Sequence, residues 1–233
     1  MFSNKTLRLN SLSNVDDMEE GQVDIFGDMS KYIFVSSWTK DSFENVALWN
    51  MYTPNMSGVR IRINPNKVVL SKDHNNSVIN INSNKQILAF ENNSFLENVE
   101  YLNNPRVGLF SDEGNISRRE ISRLGKVKSK IWSFQNEVRF ILMGLPTQKV
   151  DTFNNILSLE NSFYESIVHK VDSNINFIDL KLNDEIWEDS EILLGPNTDL
   201  GDDRIVRSLI KTYHPKSNID ISKSSIKIRP KKH

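Results

Sequence analysis

No cysteine occurs anywhere in the chain, which excludes a disulfide framework, a thiolate nucleophile and a cysteine-based zinc site, and fits a reducing compartment. Histidine is also scarce. His74, His169, His214 and His233 lie far apart with no i, i+4 pair among them, so no metal is expected. Charge of one sign is not in excess either: a formal net charge of −1 removes the basic surplus of dedicated nucleic-acid binders and leaves only local patches for that role. No apolar run approaches the roughly 18 residues needed to span a bilayer. Residues Met1–Asn10 lack the apolar core of a signal peptide, so a cytoplasmic setting is expected. There is no internal repeat.

What is present is ordinary globular material. At 38% hydrophobic and 25% charged residues, neither disorder nor a membrane class is suggested, and 233 residues fit one α+β domain spanning 1–233. Alternation predicts strands over Thr6–Leu9, with Arg8 opposite its leucine neighbours, and over Tyr32–Trp38, which turns hydroxyl-rich at Ser36 and Ser37. The acidic stretch Val15–Gly21 reads as a helical first turn or a polar loop. Val46–Tyr52 has helical spacing that brings Leu48, Trp49 and Tyr52 together. Gly58–Ile63 alternates strictly, with Val59, Ile61 and Ile63 inward.

From Asn64 to Asn104 the chain is rich in Asn and Ser, with apolar segments at Val68–Leu70, Val78–Ile81 and Gln86–Phe90 that suggest strands. Gly114–Lys130 is basic and predicts a helix; Arg118, Arg119, Arg123 and Lys126 are its candidates for nucleic-acid contact, against the commoner reading of a solvated face. Further strands are predicted at Tyr164–Val171, Phe177–Leu180, Ile192–Leu194 and Ile226–Arg229, and a helix over Asp202–Tyr213 with Ile205, Val206, Leu209 and Ile210 as its stripe.

The most informative stretch is Ile131–Leu142. At period two, Trp132, Phe134, Val138, Phe140 and Leu142 share one face of a strand while Ser133, Gln135, Glu137 and Arg139 share the other. A carboxylate central in such a strand is costly without a partner or a purpose. Glu137 therefore reads either as a functional group or as the ion-pair partner of Arg139.

Five blocks in order resemble a bacterial family, domain of unknown function 2971: Leu12–Glu19, Val35–Trp38, Leu48–Tyr52 with Gly58-Val59, Trp132–Arg139 and Ile192–Pro196. The chain departs from it at Gln135, where many members are acidic, and at Asp16-Asp17, where Asp-Pro is frequent. Arg8 on a first strand, Ser36 and Ser37 ending a second, and Gln135-Asn136-Glu137 on a later one also resemble the arginine-serine-glutamate class of ADP-ribosyltransferases. That resemblance implies split mixed and antiparallel sheets with flanking helices, and NAD as substrate.

Transfer of ADP-ribose breaks the nicotinamide–ribose bond through an oxocarbenium-like state, so a carboxylate against the ribose is required, and Glu137 fits. The resemblance gives Gln135 the orienting of the acceptor. Arg8 suits the pyrophosphate or ribose because a guanidinium stays charged and grips oxygens bidentately. Ser36 or Ser37 would bond the ribose or support Glu137, and Trp49 and Tyr52 would wall the nicotinamide, unless they are simply core. The implied protein is a toxin or antiphage effector acting on RNA, DNA or protein, with RNA favoured by the basic stretch and an antitoxin or chaperone as a candidate restraint. Two alternatives stand beside it: a non-catalytic module that binds a nucleotide or nucleic acid, and a metal-dependent nuclease built on Asp16, Asp17, Glu19 and Glu137.

Overall fold

The computed structural model describes residues 1–24, 27–68, 78–82, 85–90, 96–107, 122–147, 169–170 and 174–228. They fall into two compact units, each assembled from separated stretches of chain. The first unit comprises Met1–Leu7, Asp41–Ser71 and Leu180–His233, and the second Arg8–Lys40 and Lys72–Asp179. Fourteen strands and two α-helices among the described residues make the class α+β. No helix among them is long and apolar enough to cross a membrane.

The second unit holds most of a seven-stranded sheet, of which Thr6, Leu7, Leu180 and Lys181 are counted with the first. The strands of the sheet are β1 (Thr6–Ser11), β4 (Ile33–Thr39), β6 (Val78–Asn82), β7 (Lys85–Phe90), β8 (Leu96–Asn98), β11 (Glu137–Thr147) and β12 (Phe177–Lys181). They run in the order β12-β1-β4-β11-β7-β6, with β8 also paired to β11. β4 is antiparallel to both β1 and β11, and the β-branched and aromatic content of Ile33–Thr39 suits this central place. Against one face lie β2 (Gln22–Val23) with β3 (Gly27–Asp28), and β9 (Glu100–Leu102) parallel to β10 (Val127–Ser129). Leu12, Val23, Met29, Tyr32, Ile33, Val35, Val107, Leu124 and Val127 close into one apolar cluster there.

Two expectations are corrected in this unit. The predicted helix over Gly114–Lys130 does not hold for its described part: 122–126 form turns and Val127–Ser129 is the strand β10. Ile131–Gln135 does not belong to a strand, because Lys130–Gln135 coils into a 3-10 turn and β11 starts at Glu137. Of the two readings of Val15–Gly21, the polar loop is the one found: the stretch is a series of bends and turns. The predicted strand Tyr164–Val171 lies largely outside the described residues, as does the strand expected at Val68–Leu70 from Val69 onward.

The first unit holds α1 (Val46–Tyr52), α2 (Leu200–Tyr213) and a sheet of β5 (Val59–Arg62), β13 (Glu191–Leu194) and β14 (Asp220–Lys223) in the order β14-β13-β5. Asn45 caps α1 by accepting from the Ala47 N–H at 2.9 Å. A capping box starts α2, in which Asp199 accepts from the Asp202 N–H and Asp202 from the Asp199 N–H, each at 2.9 Å. β13 is the central strand and buries Ile192 and Leu194. β5 is an edge strand, so Val59 is 38% exposed and Ile61 and Ile63 only half-buried, contrary to the inward face predicted from alternation. The closing strand is Asp220–Lys223, while of the strand expected at Ile226–Arg229 the described residues 226–228 have no regular structure and Arg229 lies outside the described residues. Of the predicted α2 stripe, Ile210 is buried while Ile205 and Leu209 are exposed.

Candidate functional site

The chemistry of the second unit gathers where β10 leads through the 3-10 turn into β11. After Ser129 the chain coils over Lys130–Gln135 and reverses at Asn136, whose φ of 42° lies in the left-handed region that Asn tolerates better than most residues. The Asn136 carbonyl accepts from Lys40 N–H at 3.0 Å, which fixes the start of β11 against the end of β4. Glu137 then pairs with Thr39, and Arg139 with Ser37.

Five polar side chains meet behind this corner, all nearly inaccessible: Glu20, Lys128, Gln135, Glu137 and Arg139. The Arg139 guanidinium donates from Nε to Glu137 Oε1 at 2.5 Å, from Nη2 to Glu20 Oε1 at 3.0 Å and from Nη1 to both Glu20 Oε2 and the Gly125 carbonyl, the latter at 2.9 Å. Lys128 Nζ donates to Gln135 Oε1 at 2.8 Å and Glu137 Oε2 at 3.1 Å, and lies 3.2 Å from Glu20 Oε1. The Tyr101 hydroxyl accepts from the Glu137 N–H at 2.9 Å. Two glycines make the geometry possible. Gly125, at φ +75°, leaves no room for a Cβ, which would stand 2.7 Å from Ile33 Cγ2, and Gly21, at φ +79°, turns the chain directly after Glu20.

Two carboxylates and two cations thus cancel in a buried cluster, where each ion has the hydrogen bonds that burial demands. Burial pushes the Glu137 carboxyl up, but Arg139, Lys128 and Ser37 outweigh it and hold the group below the ordinary glutamate range. Burial likewise opposes the Arg139 charge, and Glu20 and Glu137 more than restore it. Burial raises the Tyr101 phenol. Because the folded Glu137 is depressed, its stabilisation is complete above the ordinary range and is lost as pH falls through the lowered value. Urea midpoints should therefore drop on acidification below about pH 4.3, and less steeply in Glu137→Gln than in the wild type.

Gln135 does not share a strand face with Glu137, as a period-two reading has it. It comes from the turn, and Lys128 is what joins the two side chains. Arg8 pairs with none of Asp16, Asp17 or Glu19. It donates from Nε and Nη2 to Asp179 at 2.9 and 2.7 Å, holding that carboxyl below its usual range, and stacks 3.6 Å above the Phe177 ring. Ser36 accepts from Trp38 Nε1 at 3.1 Å, whereas Ser37 is exposed. Asn10 opposes Val35 across β1 and β4, so alternation puts Arg8 and Ser37 on the face of that pair. The Arg139–Ser37 pair extends the face to Glu137. Arg8, Ser37 and Glu137 therefore stand on one face of three adjacent strands.

Trp49 and Tyr52 belong to the first unit. Trp49 is buried and donates to Glu44 at 3.1 Å, while Tyr52 is exposed. Arg123 and Lys126 are engaged by Glu100 and Glu97 at 3.1 and 2.9 Å, and Arg118 and Arg119 lie outside the described residues. Among the described residues no three His, Asp or Glu side chains are grouped to hold a metal; in the acidic turn, Asp17 Oδ1 accepts from the Glu19 N–H at 3.0 Å. Sequence reading placed Lys128 only in the basic stretch and Glu20 only in the acidic one, and joined neither of them, nor Tyr101, to Glu137. No family model, curated protein or solved structure matches the chain.

Proposed function

We propose that the protein is a NAD-dependent ADP-ribosyltransferase on an ADP-ribosyltransferase-like arrangement of sheets, acting as a toxin or defence effector on a nucleic-acid or protein acceptor. The observation that carries the reading is the placement of Arg8, Ser37 and Glu137 on one face of β1, β4 and β11, which are neighbours in the sheet. In this reading Glu137 stabilises the positive charge that develops on the ribose as nicotinamide departs, Ser37 supports that carboxylate, and the half-exposed Arg8 meets the pyrophosphate beside Asp179.

A second reading, a non-catalytic module that binds a nucleotide or nucleic acid, is favoured by a different observation. Glu137 is only 4% exposed and both of its oxygens are already engaged by Arg139 and Lys128. The two readings separate on incubation of the full chain with adenylate-labelled NAD and, separately, RNA, DNA and lysate protein. The transferase labels one polymer and releases nicotinamide, and folded Glu137→Gln binds NAD but turns over roughly 100-fold more slowly or worse. Absence of label and of nicotinamide release from the wild type sinks the transferase. NAD or polymer binding that survives in Glu137→Gln then leaves the binding module.

A further inference from the structure

Resting on the transferase reading, we propose that Glu20 and Lys128 are opposed positioning residues that hold the Glu137 carboxylate in place and electrically balanced against the ribose of NAD. Every element packed around Glu137 contributes to its field: Arg139 from β11, Lys128 from β10, Ser37 from β4, Tyr101 from β9 and Glu20 from the Asp17–Gly21 turns. Lys128 has three N–H donors and three acceptors around them, on Gln135, Glu137 and Glu20, so its ammonium is fixed in place; the Trp132 ring lies 5.1 Å away. Glu20 grips Arg139 with both oxygens and so aims the guanidinium whose Nε meets Glu137.

The balance matters to the chemistry. With all four ions present the pocket is neutral, and Glu137 faces the reacting ribose as one carboxylate whose cations are shared with Glu20. Without Glu20 both cations bear on Glu137, and the pocket carries a net positive charge beside a carbon that is itself becoming positive, which opposes departure of nicotinamide. Without Lys128 the excess is negative, and the Glu137 proton is held more tightly. A side chain that only filled space would give neither sign.

The test measures nicotinamide release against pH in the full chain for Glu20→Gln, Lys128→Met and the charge-restoring double variant, each with a melting curve to confirm folding. Glu20→Gln should lower kcat about tenfold with little change in KM, since the loss falls on the transition state. Its acid limb should move down by about one pH unit and that of Lys128→Met up by a similar amount, with the double variant returning to the wild-type position. Should Glu20→Gln fail to fold, Lys128→Met and the double variant carry the same comparison of sign. If the wild type turns over while the acid limbs stay put or move the same way, the positioning assignment is overturned and the transferase stands. If the wild type releases no nicotinamide, the transferase reading falls and the assignment with it.

Discussion

Arg139→Met should cost about 3–5 kcal/mol of folding free energy, seen as a lower urea midpoint and loss of the cooperative melt of the second unit. Arg139 is fully buried, and its guanidinium serves Glu137, both oxygens of Glu20 and the Gly125 carbonyl. Methionine fills much of the volume but leaves two carboxylates facing Lys128 alone, and a buried charge stripped of its partner is far more expensive than a pair that was never made. Arg139→Lys should recover only part of the loss. A lysine restores the charge but cannot reproduce the fork that reaches Glu20 and Glu137 together. The comparison of Met with Lys thus separates charge from geometry.

Trp187→Ala should be of similar size, about 3–5 kcal/mol, but confined to the first unit. Trp187 is 1% exposed at the end of the 3-10 turn Asp184–Trp187, which Asn183 caps. Its ring stacks on Phe2 at 4.5 Å and meets His214 at 4.9 Å, while His214 Nε2 lies 3.2 Å from the Phe2 carbonyl and so ties the N-terminal stretch to the end of α2. Truncation to Ala opens a cavity between the Phe2 ring that stacks on it and the tilted His214 ring. Trp187→Phe should be much milder, because the buried Trp187 Nε1–H meets no hydrogen-bond acceptor among the described residues, so its removal leaves none of them unsatisfied. Thermal melts of the two variants should differ by most of the alanine effect.

The elements legible in the sequence are those whose cause is local. The α1 helix carries its own cap and spacing, α2 its own capping box, and β13 a continuous apolar run that suits a central strand. Val59 departs from its expected burial because alternation tells which face a residue takes, not whether anything covers that face. The stretch before Glu137 misleads for a sharper reason: Trp132, Phe134 and Val138 alternate with polar residues as a strand would, but the left-handed Asn136 breaks the period between them. Sequence spacing brings Gln135 and Glu137 together for the wrong cause. Glu20 is invisible in the sequence because the group that explains its burial, Arg139, lies 119 residues away. A buried carboxylate and an exposed one read alike until the fold supplies the partner.

The chain passes between its two units four times, after Leu7, Lys40, Ser71 and Asp179. On the ribosome this order leaves no early safe harbour. When β5 emerges, β13 and β14, the strands that pair to form its sheet, are still unmade, since they begin only at Glu191 and Asp220. β1, the strand beside β12, must likewise wait for Phe177–Lys181. The seven-stranded sheet cannot close before Phe177–Lys181 is made, nor the sheet of the first unit before Asp220–Lys223, so a nascent chain stalled earlier carries exposed strand edges, and holding such a chain is work for a chaperone that recognises unpaired backbone.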